Sequence, residues 1–271
     1  MFSSWAVMLK QTLCAGEMSY LTREMVQSAL TRMRTFEGEM RGLFDSYGLP
    51  LGDNIGRRNI IMSHAQENFF ARELAQSWAV KVDGRTGEAD IVLPDLDREL
   101  ECKISSGSGK YKNYSLQTDY VTLTRKGELD FLFVLADPDF DKFAVLHFEK
   151  LTPDDFHPPS PGARHKARMR KDRAMDRCNV LWGSVSCRNE RELKKIARLM
   201  GELDESWIGR QSGLRERIER AAPGTVKKLN SVLEGERQSM RRAAEKLQTR
   251  TDYWRNSTPS FTITLAQLET D

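Results

Sequence analysis

One short stretch, residues 87–103, restricts what this chain can fold into more than any other. Residues 89–93 read Ala-Asp-Ile-Val-Leu, a brief apolar strand, and Pro94-Asp95-Leu96-Asp97 is a turn. Residues 99–104 then alternate with period two. Glu99, Glu101 and Lys103 project from one face, and Leu100, Cys102 and Ile104 from the other. The two strands form a hairpin turning near Leu96. In an antiparallel pair, partner positions sum to about twice the turn centre. Asp90 is therefore expected opposite the 101–103 stretch, so two carboxylates and an amine converge without help from the rest of the fold.

The flanking pattern fits a layered α/β domain. Residues 5–45 read as helical, and a loop follows through Gly48, Pro50, Gly52 and Gly56. A second helix is expected over 60–78, with a buried stripe of Ile61, Ala65, Phe69 and residues 71–74, and Ser63 as its cap. After the hairpin come a Ser/Gly loop at 105–109, a helix over 111–126, and buried strands at 131–135 and 143–148. The order is helix, strands, helix, strand, strand, which predicts an α/β core with a mixed sheet. Pro158, Pro159 and Pro161 mark a rigid loop. Beyond it the chain reads as basic and mostly helical, broken at Pro223-Gly224, with a last alternating strand at 260–265. The expected division is 1–58 as an N-terminal helical region, 59–150 as the catalytic core, and 151–271 as a basic, mostly helical region for DNA binding, dimerisation or both.

Composition narrows the class. The apolar fraction is 39% and the charged fraction 30%, and no apolar run approaches the roughly 18 residues that span a bilayer. Residues 1–18 lack the features of a signal peptide, so a cytoplasmic setting without membrane contact is expected. Cys14, Cys102, Cys178 and Cys187 make no C-x-x-C pair, and with the four histidines they complete no zinc pattern. They are read as reduced thiols. From Leu151 onward there are 24 Lys/Arg against 17 Asp/Glu, leaving 18 against 22 before it. An acidic part beside a basic part suits metal on one side and a polyanion on the other.

Two carboxylates and a lysine in this arrangement suit phosphodiester hydrolysis. Mg²⁺ takes one or two carboxylates plus waters and substrate oxygens. An amine beside it can hold a water and offset charge on the phosphate. An Asp, a strand and turn, then Glu-x-Lys on the next strand resembles the PD-(D/E)XK nucleases over residues 60–150. The chain length and single-core layout resemble a type II restriction endonuclease. The resemblance implies an αβββαβ core with a mixed central sheet flanked by helices, and Mg²⁺ held by Asp90 and Glu101. It implies Lys103 as the catalytic lysine and Glu67 as a further acid from the first core helix, with Glu73 behind it. Gln117 and Tyr120 resemble a pair found on the following helix, at a spacing one shorter. Pro94-Asp95 is a literal Pro-Asp, but it lies at the turn tip and not alongside the second strand, so Asp95 is not taken as a ligand.

Phosphate contacts are expected from the densest basic run, Arg164, Lys166, Arg168, Arg170, Lys171 and Arg173. Lys110 and Lys112, with Gln117, are expected near the site, and Arg57 and Arg58 at the start of the core helix. The reading is a Mg²⁺-dependent endonuclease of double-stranded DNA with no organic cofactor, acting as a homodimer because two symmetric sites match a palindromic duplex. The alternatives are a junction-resolvase-like repair nuclease and a non-catalytic DNA-binding module with the same fold.

Overall fold

The computed structural model describes residues 19–51, 54–82, 85, 87–107, 114–162 and 164–268. Helix α1 (Arg23–Ser46) begins where the Thr22 hydroxyl accepts a hydrogen bond from the Met25 amide. Its buried residues, Val26, Ala29, Leu30, Met33 and Met40, recur every three or four positions and form one stripe. Helix α2 (Ile55–Leu74) starts earlier than its apolar pattern suggests. Its cap is the Asn54 side chain, which accepts from the Arg57 amide at 3.0 Å. Ser63 instead donates to the Ile60 carbonyl inside the helix. The buried stripe is rotated from the expected one: Met62, Ala65, Phe70, Ala71 and Leu74 face the core, while Ile61 and Phe69 flank it.

The rotation has a polar cause. Arg58 and Gln66 are fully buried on the same face. The Arg58 guanidinium donates to the Pro138 carbonyl and, at 3.0 Å, to the Ser106 hydroxyl; it pairs with Glu37 at 3.6 Å and lies over the Phe140 ring. Arg58 therefore cannot touch DNA. Both terminal nitrogens of this buried guanidinium are matched, while its Nε is buried without a hydrogen-bond partner, and those contacts hold the side chain inside.

Seven strands form a mixed sheet: β1 (Lys81–Val82), β2 (Ile91–Leu93), β3 (Arg98–Ser106), β5 (Leu129–Ala136), β6 (Lys142–Leu151), β9 (Cys178–Trp182) and β12 (Ala266–Gln267). The order is β1-β2-β3-β5-β6-β12, with β9 also on β6. β3 and β5 are parallel, and the other pairs are antiparallel. Between β3 and β5 the chain makes a short strand β4 (Gln117–Asp119) and helix α3 (Tyr120–Lys126). The expected single helix over 111–126 is thus a strand followed by a short helix. Asp119 explains the break, because its side chain caps α3 at the Thr122 amide. β5 is buried along its whole length, which is why residues 131–136 read as an unbroken apolar run. Its leucines and phenylalanines each contribute about 1.5–3 kcal/mol by leaving water.

The region after 151 opens with strands and not with helices. β7 (Phe156–His157) and β8 (Lys166–Met169) join β4 in a three-stranded sheet, order β4-β8-β7. A helical turn at Lys171–Ala174 and β9 follow. β10 (Ser184–Cys187) then pairs with β11 (Phe261–Thr264), inside the stretch where a last strand was expected. Between them run α4 (Arg188–Glu219) and α5 (Pro223–Asn256). The compact units are residues 1–185 with 263–271, and residues 186–262. The expected boundaries at 58/59 and 150/151 are not boundaries between these units. The first crosses packed helices, since α1 and α2 share one core with the sheet, and the second falls within β6. No helix among the described residues is long and apolar enough to cross a membrane.

Candidate active site

The hairpin expected around Leu96 is β2-turn-β3. Its tip is one 3₁₀ turn, Pro94–Leu96, closed by Asp97 at a positive φ of 50°, a conformation Asp tolerates. The pairs are Ile91 with Leu100, Val92 with Glu99, and Leu93 with Arg98. Extending that register by one step puts Asp90 opposite Glu101. The Asp90 carboxylate accepts a hydrogen bond from the Cys102 amide at 2.7 Å, which fixes it against β3. The Lys103 ammonium donates to Glu101, two residues along the same strand. Asp95 is occupied elsewhere: its carboxylate accepts from the Ala79 amide at 2.8 Å and pins the tip to the end of α2.

Leu100 and Cys102 point into the core beneath α1 and α2, so period two leaves Glu99, Glu101 and Lys103 on the opposite face. Lys126 of α3 reaches that face and pairs with Glu99 at 2.9 Å and Glu88 at 2.7 Å. Parallel pairing sets Glu101 beside Phe131 and Lys103 beside Phe133, both buried. The charged groups thus stand next to an apolar strand that keeps water away from one side.

The electrostatics follow. Burial pushes the Glu101 carboxyl up from its ordinary pKa; Lys103 pulls it back and Asp90 pushes it further. Burial also raises Asp90, against Lys103 and the Cys102 amide, while Glu67 adds to the rise. Glu67 is raised by burial too, with His64 and Lys103 opposing and Glu101 adding. Burial alone would lower Lys103, but Glu101 and Asp90 outweigh it and hold the ammonium above its usual value. Three acids therefore share one field with a single lysine, and each gains from more positive charge. Glu101 Oε2 is buried and has no hydrogen-bond partner. An orphaned carboxylate oxygen beside a second carboxylate is a hard-oxygen donor set of the kind Mg²⁺ takes. Among the described residues no three His, Cys, Asp or Glu side chains are grouped to hold a metal. Asp90 and Glu101 would be the protein ligands, with Glu67 in electrostatic range and water filling the rest.

Sequence reasoning overlooked two residues. Asp119 is in range to raise Glu101, and its only signal was a cap pattern hidden in the presumed helix. Gln66 donates to the Leu132 carbonyl at 3.1 Å and the Lys103 carbonyl at 3.4 Å, tying α2 to β3 and β5 at the lysine. A polar residue on a buried helix face was the available hint.

The expected DNA contacts separate. Gln117 lies on β4, opposite Arg168 of β8, and Asp119 lies opposite Lys166. Arg164, Lys166, Arg168 and Arg173 are exposed, and Ala167 and Met169 are the buried alternates of β8. Arg170 and Lys171 turn inward. Lys171 donates to the Tyr114 carbonyl at 3.4 Å, and burial lowers its pKa. Arg173 donates to the Asp154 carbonyl at 3.4 Å. Lys110 and Lys112 lie outside the described residues. No protein-family model, curated protein or solved structure matches the chain.

Proposed function

We propose that the chain is a Mg²⁺-dependent endonuclease acting on double-stranded DNA, with Asp90, Glu101 and Lys103 at its centre. The observation that carries this reading is the hairpin geometry. Asp90 is locked to the Cys102 amide, Glu101 follows on the next strand with one oxygen unpartnered, and Lys103 is bonded to Glu101. The order α2, β1, β2, β3, α3, β5 supports the PD-(D/E)XK reading, because it follows the αβββαβ sequence of that core once β4, which pairs in a separate sheet, is set aside.

Bound between Asp90 and Glu101, Mg²⁺ would supply charge to the scissile phosphate and acidify a coordinated water. The chain's own residues do the rest. Asp90 and Glu101 would hold the cation, and the Cys102 amide holds Asp90 in place. Lys103, kept protonated by its acidic neighbours, is a charged donor to the phosphate and the attacking water, not a proton acceptor. Lys166 and Arg168, exposed on β8 opposite Asp119 and Gln117, would hold the phosphate backbone.

The test is incubation of long unmethylated phage DNA with purified protein and Mg²⁺. Discrete fragments that vanish with EDTA support a metal-dependent, site-specific enzyme, and sedimentation of the protein on its site tests the symmetric dimer. Cutting confined to branched DNA would assign it to repair or recombination. Binding without any cutting would make it a non-catalytic module.

A further inference from the structure

The second unit carries a feature that the catalytic reading does not use. α4 and α5 are joined by a short turn and run antiparallel, as the pairs Arg210–Glu236 at 3.4 Å and Glu192–Arg250 at 3.8 Å require. Their contact follows a heptad. On α4 the inward positions are Leu193, Ile196, Met200, Leu203, Trp207 and Leu214; on α5 they include Val226, Leu229, Leu233, Met240, Ala243 and Leu247. The seam is narrow, so almost everything outside it meets water.

Charge outside the seam is uneven. Residues 186–262 hold 17 Lys/Arg against 11 Asp/Glu. One position before each seam residue of α5 runs a line at alternating spacings of four and three: Lys228, Val232, Gly235, Ser239, Arg242 and Lys246. All are exposed, none is acidic, and the cations make no ion pair. Gly235 and Ser239 leave a shallow groove between them, lined also by Gln238 and bounded by Arg242 and Lys246. In an antiparallel pair the matching line of α4 flanks this one. It adds Lys195, exposed and unpaired, and its acids are neutralised: Glu192 by Arg250, Glu202 by Arg198, Glu216 by Arg220. The acids that make no ion pair, Glu190, Asp204, Glu205, Glu219, Glu245 and Asp252, fall at positions off these two lines.

We infer that this side of the helical hairpin binds the phosphate backbone of duplex DNA through Lys195, Lys228, Arg242 and Lys246. Lys228 and Lys246 are separated by about 27 Å of helix, at 1.5 Å per residue. A duplex presents phosphates along its whole length, about one per 1.7 Å, so a line of separated cations meets a charge at each point. A groove floored by Gly and Ser admits a backbone that bulkier side chains would hold off. Val232 is the one large apolar residue on the α5 line, with no second beside it to anchor a protein, and the groove is too shallow to hold a base, so the contact is independent of sequence. The choice of duplex DNA as ligand rests on the nuclease reading.

The test uses the full chain in EDTA, so that binding is read without cutting, on a short duplex of arbitrary sequence. Each neutralised phosphate contact lowers the slope of log affinity against log salt by about 0.9. The triple variant Lys228→Gln/Arg242→Gln/Lys246→Gln is expected to flatten that slope by about two to three and to weaken binding at least tenfold at physiological ionic strength. The charge-matched control is Arg191→Gln/Lys194→Gln/Arg241→Gln, off the line, and is expected to change the slope by less than about one. An unchanged slope in the first variant, or equal changes in both, overturns the proposal. So does a first variant that turns a dimer into a monomer while its slope stays put, since the side would then join two copies. A wild-type protein that never cuts DNA, yet shows the line-dependent slope, sinks the nuclease reading and supports this one.

Discussion

His147 is fully buried on β6, and the fold keeps it neutral. Its Nδ1 is 2.9 Å from the Ser19 hydroxyl, and its Nε2 is 3.1 Å from the Tyr20 hydroxyl, which donates to Asp130 at 3.0 Å. Burial lowers the imidazole from 6.5 to about 3, with Arg98 adding to the drop. A lowered histidine refuses a proton that the unfolded chain accepts. Stability is therefore intact above about pH 6.5 and is lost as the pH falls toward 3. Linkage gives a loss of about 2 kcal/mol at pH 5 and about 4 kcal/mol at pH 3, approaching about 5 kcal/mol at lower pH. Asp130, raised mainly by burial, acts in the opposite sense, since protonation favours its folded form. A His147→Gln variant keeps a polar side chain in place and removes the titration. Urea unfolding of both proteins at pH 7.5 and pH 5 isolates the histidine as the difference of differences. The wild type should lose about 2 kcal/mol more than the variant over that interval. Equal losses would show that His147 protonates freely in the folded protein, and would refute the buried network.

If the chain is the nuclease proposed, Lys103→Ala should lower the single-turnover cleavage rate by about 10² or more while DNA affinity in Ca²⁺ changes far less, since the lysine would then act on the reacting phosphate; wild-type cleavage would put the active site elsewhere. Lys166→Gln with Arg168→Gln should flatten the salt dependence of DNA binding by about two units, read by fluorescence anisotropy. An unchanged slope would leave β8 a solvated strand. Gly183→Ala should destabilise the fold by about 1–3 kcal/mol in thermal melts. Its φ is +74°, and a Cβ would sit 2.6 Å from the Thr264 carbonyl oxygen and 2.9 Å from Ala144 Cβ. A melting temperature matching wild type would mean the backbone there can move aside.

The hairpin was legible in the sequence because period two and a turn leave little freedom: Asp90 faces Glu101 whichever helices cover the sheet. β5 was legible because a strand buried on both faces is mostly apolar, as 131–136 is, with Asp130 before it buried and hydrogen-bonded. The start of α2 was not, because its buried side contains Arg58 and Gln66, and a search for apolar residues begins too late. The split of 111–126 into β4 and α3 was hidden for a similar reason. Asp119 ends one element and caps the next, and its effect depends on β8, about fifty residues onward. The basic run looked uniform as a string, but alternation along β8 and the turn after it send Lys166 and Arg168 outward and Lys171 toward the Tyr114 carbonyl. Which cations face solvent depends on tertiary pairing, which local sequence does not encode.

The central claim is that Asp90 and Glu101 are kept for chemistry against the preference of the fold. Burial raises both carboxyls, so each ionised side chain costs stability that a neutral isostere would not. The decisive measurement pairs Mg²⁺-dependent cleavage with thermal melting for Asp90→Asn and Glu101→Gln, with Asp95→Asn as the control away from the site. The account predicts that both site variants lose cleavage by about 10³ or more and melt at or above the wild-type temperature without metal, while Asp95→Asn still cuts. Near-normal cleavage by either site variant would contradict it.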